Sequence, residues 1–163
     1  KQRKIPIVFV GAPKIGKLEK IFKYFDNDIV AHCRIESAKI KKFYYWIITG
    51  KKILPFTGTL SKLYQDTQVG INIHYSFGPS NVRTYQLCAA GVAQVIDCTE
   101  GINDVYLPEK EVLNYSSQDN AIIQISRLLR DNDLRHQISK NGYEKTRHNY
   151  SREKLLTDLF TFF

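Results

Sequence analysis

Short apolar runs that end at a glycine or a polar turn, separated by stretches with helical spacing, restrict the fold of this chain more than any other feature. The first run, Ile5 to Val10, reads Ile-Pro-Ile-Val-Phe-Val and stops at Gly11. A continuous β-branched run of this kind predicts a strand buried on both faces, which belongs in a parallel sheet. Residues 28–33, 53–56, 69–75 and 92–97 repeat the pattern, and 111–115 offers a sixth short strand. Helices are predicted between them over 17–25, 60–65, 81–90, 118–130, 134–148 and 151–162. In the first, Leu18, Ile21, Phe22 and Phe25 share a face; in 118–130, Ile122, Ile125, Leu128 and Leu129 do. Gly91 reads as the glycine that closes 81–90, and 99–103 as a turn. Residues 37–49 fit either a helix face (Ile40, Phe43, Tyr44, Ile47) or an aromatic-rich strand.

Strands alternating with helices at short intervals predict an α/β fold, an open doubly wound parallel sheet. No internal repeat, low-complexity tract or linker divides the chain, so one domain is expected over 1–163. In such a sheet ligands bind outside the carboxyl ends of the strands. The loops that matter are therefore 11–17, 57–59, 76–81 and 97–101.

The chain has 163 residues, enough for a core of ordinary size. No apolar run reaches the ~18 residues of a membrane span. Lys1-Gln2-Arg3-Lys4 is basic, but the apolar run behind it is too short for a signal-peptide core, so a cytoplasmic protein is expected. Cys33, Cys88 and Cys98 sit in apolar stretches without a Cys-x-x-Cys pair. They read as buried free thiols, which suits a reducing compartment. The sequence contains no methionine, which points to a piece of a longer protein or to lost residues. The net charge of +8 is uneven, because residues 1–62 carry 14 Lys/Arg and only 4 Asp/Glu. That segment is either a solvated basic face or a surface for phosphate groups, nucleic acid or an anionic membrane.

Two loops carry candidate chemistry. Gly11-Ala12-Pro13-Lys14-Ile15-Gly16-Lys17 could bring backbone, a helix start and the charges of Lys14 and Lys17 to a phosphate. It has neither Walker nor Gly-x-Gly-x-x-Gly spacing, and a plain strand-to-helix turn with surface lysines is the reading slightly favoured. The second loop runs from His74 through Gly78-Pro79-Ser80-Asn81 into Val82-Arg83-Thr84-Tyr85-Gln86. Ser80 or Asn81 can cap the helix, and the amides of Val82 and Arg83 then form an anion site at the strand ends. Gln86, one turn further in, could reach a hydroxyl of the same ligand. The alternative is a structural cap with a solvated glutamine. His74 is either a packed, hydrogen-bonded histidine or a ligand contact.

Asn72-Ile73-His74 followed by Asn81-Val82-Arg83-Thr84-Tyr85-Gln86-Leu87-Cys88-Ala89-Ala90-Gly91 resembles the glycosyltransferase group-1 signature, in its spore-maturation CgeB-like branch. The likeness extends through Glu100-Gly101, Pro108-Glu109-Lys110-Glu111-Val112, Leu128 to Arg135, Gly142 and His148-Asn149-Tyr150. It implies the C-terminal, Rossmann-like half of a GT-B enzyme, which binds a nucleoside-diphosphate sugar without a metal or other cofactor. The acceptor-binding N-terminal domain would lie outside this chain, and the isolated domain would turn over poorly. The family's Glu-x7-Glu pair falls on Gly78 and Gln86, so both carboxylates are missing. Its ribose contact would pass to Gln86, and its diphosphate contact to the amides of Val82 and Arg83. The donor-binding set expected is Gly11, Lys14, Lys17, His74, Gly78, Ser80, Asn81, Val82, Arg83 and Gln86; no catalytic residue is identified.

No His/Cys cluster has zinc spacing. Asp26-Asn27-Asp28 and Asp131-Asn132-Asp133 read Asp-x-Asp, but both compositions suit turns away from the crevice. Tyr44, Tyr45 and Trp46 beside Lys41 and Lys42 read as a core segment with basic flanks rather than as a stacking surface for bases. Nucleic acid is thus the less expected partner, while the basic first segment leaves room for peripheral membrane contact. A nucleotide-sugar epimerase of the same architecture is the other enzyme reading; it needs acid/base carboxylates, and Gln86 argues against it.

Overall fold

The computed structural model describes residues 3–11, 16–25, 28–32, 58–74, 78, 81–97 and 100–161. Among the described residues, five parallel strands form one sheet in the order β2-β1-β3-β4-β5: β1 (Ile5–Val10), β2 (Ile29–His32), β3 (Thr67–Asn72), β4 (Ala93–Asp97) and β5 (Leu113–Tyr115). The helices in chain order are α1 (Glu19–Tyr24), α2 (Leu60–Gln65), α3 (Val82–Ala89), α4 (Ile102–Val105), α5 (Gln118–Arg130), α6 (Asn132–Asn149) and α7 (Arg152–Thr161). The expected strand at 53–56, the ambiguous segment 37–49, Cys33 and Cys98 lie outside the described residues.

The strands are mostly apolar because both faces are covered, and Thr67, Asn72, Gln94 and Asp97 are the buried polar exceptions. Ile7 and Phe9 of β1 point to one side with Leu18, Ile21, Phe22, Ile125 and Leu128 of the α1 and α5 region. Val8 and Val10 point to the other, against Leu63 and Tyr64 of α2 and Leu87 of α3. Further along that side, Cys88, Ile96, Ile102, Val105, Tyr106 and Val112 form a third cluster, with Tyr85 and Tyr150 packed on it. Burial holds the Cys88 thiol up at about 12, so it is an apolar filler and not a nucleophile.

Several boundaries differ from expectation: α1 and β5 each begin two residues late, at Glu19 and Leu113. β3 starts two residues earlier than predicted, where Thr67 pairs with Ile5. It ends at Asn72 because the His74 amide turns to the Asp97 carboxylate instead of a neighbouring strand. The turn expected at 99–103 tightens into α4, with Gly101 at φ 80 as its N-cap. α6 begins two residues before the prediction, because the Asp131 side chain accepts from the Leu134 amide and caps it.

Gly91 ends α3 as expected. At φ 62 it lets the Gly91 amide donate to Cys88 O (2.8 Å) and the Val92 amide to Leu87 O (3.0 Å). This paired closure satisfies two of the carbonyls that a helix end leaves open, and it feeds the chain directly into β4.

Candidate functional site

The strand order reverses between β1 and β3, and in open α/β sheets the ligand crevice lies outside the carboxyl ends of the strands at such a point. Gly11 follows β1 there, His74 follows β3, and Asp97 ends β4.

α3 starts with a reciprocal cap. The Asn81 side chain accepts from the Thr84 amide, and Thr84 Oγ1 accepts from the Asn81 amide at 3.1 Å. Asn81 is thus the capping residue of the two anticipated. The amides of Val82 and Arg83 belong to the positive end of the helix dipole at the crevice mouth. Val82 itself is 70% exposed.

Below the cap lies Asn72, fully buried at the end of β3. Its Nδ2 donates to Thr84 Oγ1 (2.9 Å) and Gln94 Oε1 (3.2 Å). Its Oδ1 accepts from Asn81 Nδ2 (3.0 Å) and Arg83 Nη1 (3.1 Å). The guanidinium can only donate, which fixes which end of the Asn72 amide is oxygen. All four hydrogen-bonding positions of that amide are filled.

Arg83 does more than lend its backbone. Its guanidinium reaches across the crevice, lies 5.3 Å from the Phe9 ring centroid and sits against Gly11. Gly11, at φ 141, occupies a conformation that favours glycine, and a Cβ there would overlap Arg83 Nη2. The close approach expected between this backbone and a ligand is made here by the protein's own arginine.

The start of α1 also departs from expectation. Glu19 Oε1 accepts from the Gly16 amide (2.6 Å) and Oε2 from the Leu18 amide (3.1 Å). These amides, expected to meet a phosphate, are turned onto a carboxylate of their own helix. Gln118 of α5 pins the segment further, through Gly16 O and the Lys20 amide. Lys17 is thereby aimed inward: its Nζ donates to His74 O (3.3 Å) and Asp97 Oδ2 (3.2 Å).

Asp97 is the hub of this side of the crevice. Its carboxylate accepts from the His74 amide at 3.0 Å on both oxygens, and Oδ1 stands 2.6 Å from His74 Nδ1. Burial pushes the carboxyl up, but the bonds from the His74 ring and amide and from Lys17 outweigh it and hold the group below its ordinary value. An ionised Asp97 only accepts, so Nδ1 carries the proton. His74 is 4% exposed, and its Nε2 has no hydrogen-bond partner among the described residues.

The structure therefore brings Gly11, Lys17, His74, Asn81, Val82 and Arg83 together. Lys14 and Ser80 lie outside the described residues; Gly78, at φ 131, is exposed. Gln86 sits apart, exposed on the flank of α3 that faces α2, in a depression with Leu60, Ser61 and Tyr64. Tyr64 Oη is buried there without a partner among the described residues. The sequence reading missed Asn72 and Asp97 as site residues. Their signal is a polar residue at the last position of a strand that is otherwise packed, as in Val-Gly-Ile-Asn and Gln-Val-Ile-Asp. Of the Asp-x-Asp strings, the second is a helix junction with Asp131 as cap, and Asp26 and Asn27 of the first lie outside the described residues. Among the described residues no three His, Cys, Asp or Glu side chains cluster as metal ligands would, and no helix is long and apolar enough to cross a membrane.

Residues 47–161 match the family described as glycosyl transferase-like. No curated protein matches the sequence. Among solved structures, the C-terminal domain of the glycosyl transferase group 1 family protein LpcC from Francisella tularensis superposes with a TM-score of 0.67. It is 14% identical, and the match covers 90% of this chain and 86% of that one. The C-terminal CMP-Kdo binding domain of WaaA from Acinetobacter baumannii is also 14% identical, with a TM-score of 0.65 and 91% of each chain covered. HepE from Anabaena, solved in complex with UDP-glucose, gives a TM-score of 0.72 at 11% identity; the match covers 97% of this chain but 49% of HepE. The chain thus spans nearly the whole of two isolated C-terminal domains and about half of a longer relative. The fold is that of GT-B C-terminal domains, as the sequence led one to expect.

Proposed function

The chain belongs to the glycosyl transferase-like family, and from that premise we propose that it is the donor-binding half of a glycosyltransferase. In this reading it holds a nucleoside-diphosphate sugar while the anomeric carbon moves to an acceptor oxygen. The bond from that carbon to the diphosphate breaks, a bond to the acceptor oxygen forms, and the acceptor's proton leaves to a base. Charge grows on the departing diphosphate, and the reaction needs cations and dipoles already aimed there. The observation that carries the reading is the convergence of the Arg83 guanidinium, Lys17 and the capped start of α3 at the switch point.

Within it, the amides of Val82 and Arg83, with Lys17 and Lys14, take the diphosphate. Gly11 leaves room for Arg83, while Gly78, Ser80 and Asn81 shape and cap the loop. His74 faces the donor; Gln86, turned toward α2, takes the ribose contact that a carboxylate makes elsewhere in the family only where the ribose lies along that flank of α3. The donor set holds no metal; cations and helix amides do that work. The CgeB-like branch is the placement we favour, on the Asn-x-His and Asn-Val-Arg-Thr-Tyr-Gln strings. The acceptor site and base come from an N-terminal domain, so the chain alone binds donor without efficient turnover. A cytoplasmic site of action, with the basic first segment against an anionic membrane, completes the proposal.

A melting screen tests it. Only the folded state offers the crevice, so a nucleoside diphosphate raises the melting temperature; at 100 times Kd the gain is about 2.7 kcal/mol. At least one of UDP, GDP, ADP and dTDP is expected to do so, unchanged by EDTA. Four flat curves, with a shift by duplex DNA at low salt, would replace this reading with nucleic-acid binding. Loss of the shift in EDTA would overturn the metal-free account.

A further inference from the structure

His74 and Asp97 form a pair that the diphosphate contacts do not use. The ring is buried, its Nδ1 is bound by a carboxylate, and its Nε2 is enclosed without a partner among the described residues. A buried polar atom left unpaired costs about 1–3 kcal/mol, so it calls for a partner that the described residues do not supply. Tyr64 Oη, the other such atom among the described residues, belongs to the depression between α2 and α3 and not to the crevice.

The tautomer decides what Nε2 can take. Three donors converge on the two oxygens of Asp97: the His74 amide, His74 Nδ1 and Lys17 Nζ. The ionised carboxylate has no proton to give, so its 2.6 Å contact with the ring is a hydrogen bond only when Nδ1 carries the proton. In the neutral ring Nε2 is then a lone-pair acceptor. A phosphate oxygen also only accepts, so the complementary ligand atom is a hydroxyl. We propose that His74 Nε2 accepts a hydrogen bond from a hydroxyl of the donor's sugar, and that Asp97 is the positioning residue that fixes the ring for it. This rests on the donor-binding reading and adds to it which part of the donor His74 reads. Asp97 acts on the sugar only through His74; Lys17, on the same carboxylate, serves the diphosphate.

The test separates the two readings by ligand. On the 163-residue chain, the side-chain nitrogens of His74 are followed by 15N NMR. Affinities for UDP, GDP, ADP, dTDP and their glucose esters are measured by calorimetry in the native chain, Asp97→Asn and His74→Phe. Native His74 is expected to show a protonated Nδ1 and a bare Nε2. The Nε2 signal moves when the glucose ester binds and stays when the diphosphate binds. The ratio of ester to diphosphate affinity falls about fivefold or more in both variants, the worth of one hydrogen bond. The NMR of Asp97→Asn shows mixed tautomers together with the lowered ratio, whereas an aspartate that only stabilises the fold leaves the ratio unchanged. A proton on Nε2 in the native ring overturns the inference, as does an unchanged affinity ratio. If Asp97→Asn does not fold, native NMR and His74→Phe still decide. If no diphosphate and no ester binds the native chain, the donor-binding reading falls too; binding of both with an unchanged ratio removes this inference alone.

Discussion

Arg83 lies against the backbone of Gly11 so closely that no side chain fits between them. One residue follows the first strand and the other opens α3, 72 positions later, yet the arginine's place depends on the glycine having no Cβ. Gly11→Ala must therefore shift Arg83 as well as adopt φ 141. Strain of this kind costs about 1–3 kcal/mol. In urea unfolding, Gly11→Ala is expected to be less stable than the native chain and to bind nucleoside diphosphate more weakly. The same change made in an Arg83→Ala background costs less, because the overlap is gone. Gly91→Ala is the control: it strains the closure of α3 but leaves diphosphate affinity unchanged.

Gly142 gives the opposite sign from helix propensity. It lies within α6, where alanine normally gains about 1 kcal/mol over glycine. A Cβ at this position would stand 2.7 Å from the Glu111 backbone oxygen and 3.2 Å from Cys88 Sγ. Overpacking against backbone outweighs propensity, so Gly142→Ala is expected to lose about 1–3 kcal/mol in a denaturant titration. A gain would mean that α6 can slide away from β5.

Acid stability should report on Asp97. Its folded value is held below the ordinary 3.8. The stability it contributes is present above 3.8 and is lost as pH falls through the folded value. Asp97→Asn is thus expected to lower the urea midpoint at pH 7. The gap to the native chain narrows below about pH 3.8. A gap that stays constant down to pH 2 would mean that the charge of Asp97 is not what the fold uses.

The Cys88 thiol, buried and raised to about 12, should resist alkylation at pH 8 in the native chain and react fully in guanidinium. Peptide mapping after iodoacetamide reads this directly. Native labelling of Cys88 would mean that the Tyr85, Tyr106 and Tyr150 cluster above it opens readily.

Gln86 tests the ribose assignment. Gln86→Leu is expected to lose about 1 kcal/mol of diphosphate affinity, and Gln86→Glu to hold or tighten it. With Gln86 exposed on the α2 side, neither change should move the melting temperature without ligand. Unchanged affinity in Gln86→Leu would make this an ordinary helix residue and weaken the case for an active transferase.

The elements that hydrophobic spacing defines were legible residue by residue. Leu60–Gln65 and Gln118–Arg130 stand where the apolar periodicity put them. The strands were legible because burial on both faces leaves a mostly apolar signature, broken by residues such as Asn72 and Gln94. The boundaries shifted where one side chain decides: Asp131 lengthens α6, and Asp97 ends β3 by drawing the His74 amide away. The site was legible as a loop and a cap, but not as a network. Periodicity places Arg83 in the first turn of a helix; it does not say that the guanidinium crosses to Gly11. Nor does it show that Glu19 would occupy the amides before α1, since that depends on how the loop folds back.

Asn72 has a further consequence. Its side-chain amide is saturated by Thr84, Gln94, Asn81 and Arg83 before any ligand arrives. The rotamer freedom of these residues is therefore surrendered when the chain folds, not when a donor docks. Immobilising a long side chain at the moment of binding costs roughly 0.5–1.5 kcal/mol. A crevice floor already locked in this way spares the ligand that cost. Affinity is then set by how well the ligand matches a fixed shape, and an ill-matched ligand cannot remould it.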